Sequence, residues 1–184
     1  MSASDILRHC APTLAGIKTG SIFTCTYESK EALNRTLRQM NRRLGPKGLR
    51  VLPLRFSQKK ALIYLYRPKG LSEDLSDSMA AELLQRYGYH TESCDRCVVR
   101  LAQKLRREEE FPHEIGLFLG YPPEDVYGFI ENKACGCKCV GCWKVYGDEE
   151  AAKKKFAQYK KCTKVYWDQW AKGKDIERLA VGRI

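Results

Sequence analysis

Four cysteines fall within eight residues, Cys135, Cys137, Cys139 and Cys142, in the spacing C-x-C-x-C-x-x-C. Four thiolates can complete a tetrahedral zinc site or ligate an iron–sulfur cluster. Gly136 and Gly141 suit a loop that folds back on one ion, and Lys133, Lys138 and Lys144 offset part of the thiolate charge. Structural zinc sites usually split their ligands into two separated pairs, whereas here one short loop supplies all four. Alternate cysteines of an extended segment point to one face, and Cys142 then points elsewhere. A site of two or three loop thiolates completed by Cys94, Cys97, Cys162 or His90 is an equal alternative, and copper(I) a third occupant. A redox-active thiol pair and an unoccupied loop also stay open. The expectation is that at least three of the four sulfurs converge in one coordination sphere.

A second set of reactive types is Cys10, Lys18, His113 and Glu114. A cysteine beside a histidine can be a nucleophile, and a histidine with a carboxylate can do acid–base work. Lys18, in "TLAGIKTGS", offers a cation and turn amides to an anion, although the stretch does not match a phosphate-binding loop. His9 and Cys10 are neighbours on a predicted helix, so their side chains diverge. The four residues make a catalytic site for an anionic small molecule only if the fold brings them to one cleft. "CDRC", Cys94 to Cys97, places Cys94 in a first helical turn, where the dipole lowers a thiol pKa. Cys97 shares a stripe with Leu101 and reads as core.

The chain has 184 residues, nine cysteines and a formal net charge of +11. Its longest apolar runs, such as "ALIYLY", fall far short of the ~20 residues that span a bilayer. The first residues lack a signal-peptide pattern, so the expected setting is cytoplasmic, with no membrane partner. There, cysteines serve as thiols or metal ligands rather than disulfides. The charge favours acidic partners. Its basic groups are Arg35, Arg38, Arg42, Arg43, Lys47 and Arg50, and Lys153, Lys154, Lys155, Lys160, Lys161 and Lys164. They read either as solvated helix faces or as nucleic-acid contacts. "HEIGLFLGYPPEDVYGFI" has a helix-turn-helix rhythm, yet no Lys or Arg occurs from Pro112 to Asn132, and Glu124, Asp125 and Glu131 do. A major-groove helix needs basic contacts, so this is read as a structural helical hairpin.

The positioning elements follow from periodicity. Ser4 and Asp5 cap a short helix that Pro12 ends. "SIFTCTY" alternates, with Ile22, Thr24 and Thr26 on one face and Phe23, Cys25 and Tyr27 on the other. A helix with the stripe Leu33, Leu37, Met40 and Leu44 follows, capped by Ser29 and stopped at Gly45-Pro46. "GLRVLPLRF" and "KALIYLYRP" are two strands joined across Ser57 to Lys59. From Leu71 the pattern is helical: a segment capped by Ser76 or Asp77, one from Ser93 to Glu109, the hairpin, and a long helix from Asp148 to Ala171. That last helix offers Phe156, Tyr159, Cys162, Val165, Tyr166 and Trp170 for burial. The fold class is α/β: a small mixed sheet ordered strand-helix-strand-strand, with a helical C-terminal half. It reads as one domain over residues 1–184, with a soft boundary near residue 70.

Three blocks together, "HCAPTLAGIKTGSIF", "FPHEIGLFLGYPPEDVYGFIEN" and "WKVYGDEEAA", with "ALIYLYRP" between them, resemble an uncharacterised bacterial family, the domain-of-unknown-function family numbered 3793. The resemblance covers nearly the whole chain. It implies a bacterial, cytosolic protein of one architecture and transfers no catalytic residue. The leading functional reading is therefore a thiolate protein of redox or metal physiology, holding zinc or an iron–sulfur cluster and meeting a redox protein. An enzyme acting on an anionic small molecule comes second, and nucleic-acid binding third.

Overall fold

The computed structural model describes residues 2–107 and 110–182. Helix α1 (Ala3–Leu14) opens at Ser2, whose hydroxyl accepts from the Asp5 amide while Asp5 accepts from the Ser2 amide. This reciprocal cap starts the helix earlier than Ser4. Pro12 does not end it. The amide that proline lacks would have served the carbonyl of Arg8, an exposed residue that water can reach, and the helix runs two residues further.

Strand β1 (Gly20–Thr26), helix α2 (Lys30–Leu44), strand β2 (Arg50–Ser57) and strand β3 (Lys60–Tyr66) follow in the expected order. Ser29 caps α2 through the Ala32 amide at 3.1 Å. The sheet order is β1-β3-β2, and both pairings are antiparallel. β1 and β2 run in the same direction with β3 between them, so the sheet is antiparallel throughout where a mixed one was expected, and α2 connects two strands that are not hydrogen-bonded neighbours. β2 bulges between Pro53 and Arg55. Its outer edge is blunted where the Asn41 amide exchanges two hydrogen bonds with the Val51 backbone, at 2.7 and 2.9 Å.

Each sheet face is covered. Phe23, Cys25, Val51, Ala61, Ile63 and Leu65 pack on α1 and α2. Leu54, Tyr64 and Tyr66 pack on the helices that follow. These are α3 (Pro68–Leu75), α4 (Ser78–Arg86), α5 (Cys94–Arg107), the single turn α6 (Ile115–Phe118) and α7 (Pro123–Glu131). The expected end of the fifth helix at Glu109 lies outside the described residues. α6 is buried throughout, which suits a structural hairpin rather than a groove-reading helix. A two-stranded ribbon, β4 (Cys139–Val140) and β5 (Lys144–Val145), carries the clustered cysteines. α8 (Glu149–Ala171) runs beside α1, and α9 (Ile176–Leu179) closes on the α2 layer. On α8, Ala152 and Tyr159 are buried, while Val165, expected to be available for packing, is 45% exposed. No helix among the described residues is long and apolar enough to cross a membrane.

Candidate functional site

The cysteine ribbon is organised by Asp125, a residue 2% exposed in the first turn of α7. Its Oδ2 accepts from Trp143 Nε1 at 2.7 Å, and its Oδ1 accepts from the amides of Tyr146 at 2.6 Å and Gly147 at 2.7 Å. Three donors on one carboxylate make charge-assisted bonds that hold the ribbon on α7. Lysines of the loop cap carbonyls: Lys138 Nζ donates to Gly147 and Lys144 Nζ to Ala134. Trp143 packs between Tyr121 and Phe156, with ring centroids 4.8 and 4.5 Å away. Gly141 is needed for that packing, since a Cβ there would lie 2.2 Å from the Phe156 ring. Gly136 turns the chain at φ +67°.

The sulfurs have different charged neighbours. Cys137 and Cys135 act on the Tyr146 phenol, and Cys139 is influenced by Glu149 and Lys153 at the start of α8 and by Cys137. Cys142 turns the other way, where its charge acts on Lys18, Tyr121 and Tyr159. Among the described residues no three His, Cys, Asp or Glu side chains gather to hold a metal ion. The expected convergence of Cys135, Cys137, Cys139 and Cys142 is thus corrected. Only Cys139 lies in the paired ribbon; Cys135 and Cys137 precede it and Cys142 sits in its turn, along a loop path that Asp125 and Trp143 hold on α7. Of the expected completing ligands, Cys97 Sγ donates to the His90 carbonyl at 3.2 Å and Cys94 Sγ, in the first turn of α5, to the Pro68 carbonyl at 4.0 Å. Burial, not the helix dipole, dominates at Cys94 and pushes its thiol up to about 11.

The second constellation is also divided. Cys10 is fully buried in the α1–sheet core, and its thiol is pushed up to about 12 by burial, with Lys18 and Ser21 opposing. Glu114 is buried in the helix layer on the other sheet face. It accepts from Lys104 Nζ at 2.6 Å and from the Tyr89 hydroxyl at 3.0 Å. His113 is exposed and stands edge-on to Phe129. A four-residue catalytic site of Cys10, Lys18, His113 and Glu114 is therefore not assembled: the sheet lies between Cys10 and Glu114, and the Glu114 carboxylate is consumed by a buried ion pair.

Lys18 alone keeps the features of a site. It follows the α1–β1 turn, with its ammonium 5.3 Å from the centroid of Tyr121. Desolvation lowers its proton affinity, and the Cys142 and Cys10 thiols act against that. It has no carboxylate or hydrogen-bond partner among the described residues. It borders a cavity of about 180 Å³ with Thr19, Arg67, Asp74, Lys155 and Tyr159, and with Gly16 and Gly120. Asp74 accepts from the Thr19 hydroxyl. A neighbouring hollow of about 500 Å³ shares Asp74, Gly120 and Lys155 and is rich in carboxylates, among them Glu73, Asp77, Glu124 and Asp148.

Arg67, at the end of β3, frames this cleft and is 2% exposed. Its guanidinium donates to the carbonyls of Thr13 (2.8 Å), Leu14 (2.8 Å), Val181 (2.7 Å) and Lys47 (3.3 Å). A buried cation thereby satisfies the free carbonyls at the α1 C-terminus and ties the last described residues to the sheet. Sequence reading missed Arg67 and Lys104, and it took Asp125 only as an acidic residue of the hairpin and Lys155 only as one of a basic group. Asp125 signals only a helix start, and its three donors lie 18 to 22 residues downstream. For Arg67, a charged residue directly after "ALIYLY" was a usable signal of a cation carried into the interior.

Several residues of the basic groups are spent locally. Arg43 pairs with Asp175 and Glu177, Lys47 caps the carbonyls of Glu177 and Ala180, and Lys153 pairs with Glu149. The family model described as a protein of unknown function (DUF3793) matches residues 6–180. No curated protein and no solved structure matches the chain. The match runs from the first turns of α1 to the end of α9, across every element that frames Lys18 and the cysteine ribbon, and the chain belongs to the DUF3793 family.

Proposed function

We propose that this protein binds a small anionic molecule in the cleft between the α1–β1 turn, α3, the α6–α7 turn and α8, with Lys18 as the principal ligand-binding group. The observation that carries this reading is Lys18 itself. An ammonium withdrawn from water without a counter-charge is costly, and its proton affinity is lowered accordingly. A bound anion would remove that cost. Lys155 and the fixed charge of Arg67 bring the formal positive charges lining the cavity to three, against the one carboxylate of Asp74. The carboxylates of the adjoining hollow repel anions and confine an anionic group to the Lys18 end. Thr19 and the glycine backbones at residues 16 and 120 supply neutral polar contacts.

The test is calorimetric titration with inorganic phosphate at ionic strength matched by sodium chloride. Binding to the wild-type chain is expected, weakened about tenfold or more, or 1.4 kcal/mol, in Lys18→Met. Equal phosphate affinity in the two proteins, or no saturable binding above the chloride control, overturns the reading.

A further inference from the structure

A second cavity, of about 400 Å³, is bordered by Tyr121 and Trp143 and not by Lys18. The volume is in the range of small-molecule sites, which run from ~300 to 1,000 Å³. Its walls are apolar, part aliphatic and part aromatic: Ile22, Leu119, Val126, Phe129 and Trp143. Phe111 and Val140 border it while 42% and 69% exposed, so its rim presents unusual apolar surface to water. Among the described residues that border it, Asp125, His113 and Lys144 carry ionisable side chains besides the Tyr121 phenol. Asp125 turns its two oxygens to Trp143, Tyr146 and Gly147 of the ribbon. His113 is exposed beside the Phe129 ring, and the Lys144 ammonium lies 5.9 Å from the centroid of that ring. Lys144 gives one donor to the Ala134 carbonyl and keeps two more, so the polar character of the rim outside Asp125 is basic and sits next to an aromatic wall.

From this arrangement we infer a binding site for a small planar aromatic molecule carrying one anionic group. Its ring lies against Phe129 and Trp143, where stacked or edge-on contact adds to the burial of apolar area. Its anionic group meets Lys144 and His113 at the rim, where the charge stays in contact with water and avoids full desolvation. The ligand's anion stays outside the apolar walls, and Asp125 keeps its three bonds. Tyr121 borders both this cavity and the hollow next to the Lys18 cleft, yet the apolar walls define a separate site whose occupancy does not require an anion at Lys18.

The test uses 1-anilinonaphthalene-8-sulfonate, an aromatic sulfonate with a planar naphthalene ring, and follows its emission and energy transfer from tryptophan. One saturable site per chain is expected, with displacement by 2-naphthoate at lower concentration than by neutral 2-naphthol. Val140→Glu and, separately, His113→Glu place a negative charge at the rim. Both positions are exposed, so the far-UV circular dichroism should not change. Each variant should weaken probe binding at least about tenfold, while Lys18→Met leaves it unaltered. Absence of a single saturable site, or a site indifferent to both rim charges, overturns the assignment. Equal displacement by naphthol and naphthoate overturns its anionic part.

Discussion

Replacing Asp125 by Asn probes how the cysteine ribbon is held. In the wild-type chain one oxygen accepts from the Tyr146 and Gly147 amides and the other from Trp143 Nε1. An asparagine can keep its oxygen toward the two amides, and its NH2 group then faces the indole N–H, donor to donor. The lost bond to a charged acceptor is worth about 1.5–3 kcal/mol, and Trp143, 7% exposed, has little access to water that could replace it. The two remaining bonds also lose their charge assistance, which roughly halves them. The sum is about 3–5 kcal/mol of local stability. Each 1.4 kcal/mol is tenfold, so hydrogen-exchange protection of the Tyr146 and Gly147 amides should fall by about two to three orders of magnitude. Trp143→Phe removes the indole donor but keeps a ring against Tyr121 and Phe156. In that background Asp125→Asn should cost only about 1–2 kcal/mol, a coupling of about 2 kcal/mol. A coupling below about 0.5 kcal/mol would show that Asp125 does not hold the ribbon through Trp143, and the account of why the sulfurs diverge would fail with it.

Further expectations rest on other buried groups. Lys104→Met strands the Glu114 carboxylate and should destabilise by about 3–5 kcal/mol in guanidinium unfolding, while Lys104→Met with Glu114→Leu recovers most of that loss. Lys18 has a folded proton affinity below its unfolded one, so the unfolded state binds more protons as pH rises toward ~10.4 and stability rises with it. Lys18→Met should therefore be more stable than wild type at pH 7, with the difference shrinking toward pH 10. Cys10 behaves oppositely: the unfolded thiol ionises near ~8.5 and the buried one near about 12, so stability falls across that window. Cys10→Ala should flatten this alkaline limb, as measured by urea midpoints. In the native protein, Cys135 and Cys142 should react first with a disulfide reagent, Cys137 and Cys139 more slowly, and Cys10, Cys25 and Cys97 only on unfolding.

The sequence by itself determined the local geometry. In β1 the alternation put Phe23 and Cys25 on the buried face. In α2, the Ser29 cap and the Leu33, Leu37 and Leu44 stripe stand where periodicity set them. The lack of basic residues in the α6–α7 hairpin identified it as structural. Such features depend on neighbours within about one helical turn or one strand repeat, so residue order is enough. Tertiary structure alone decided which strand took the centre of the sheet, because β1 and β2 both offer an apolar face and only packing on two helical layers selects β3, apolar on both. It also decided the fate of the reactive residues. Cysteine spacing permits convergence, but the loop's path around β4 and β5 is held by a carboxylate on α7 and an indole 18 residues later, and among the described residues no three thiols gather along it. Glu114 reads as a candidate acid until Lys104 from another helix neutralises it, and Lys18 reads as a loop cation until α8 and Tyr121 exclude water around it. Desolvation and long-range pairing are properties of what surrounds a side chain in space, and chain neighbours supply only a small part of that surrounding.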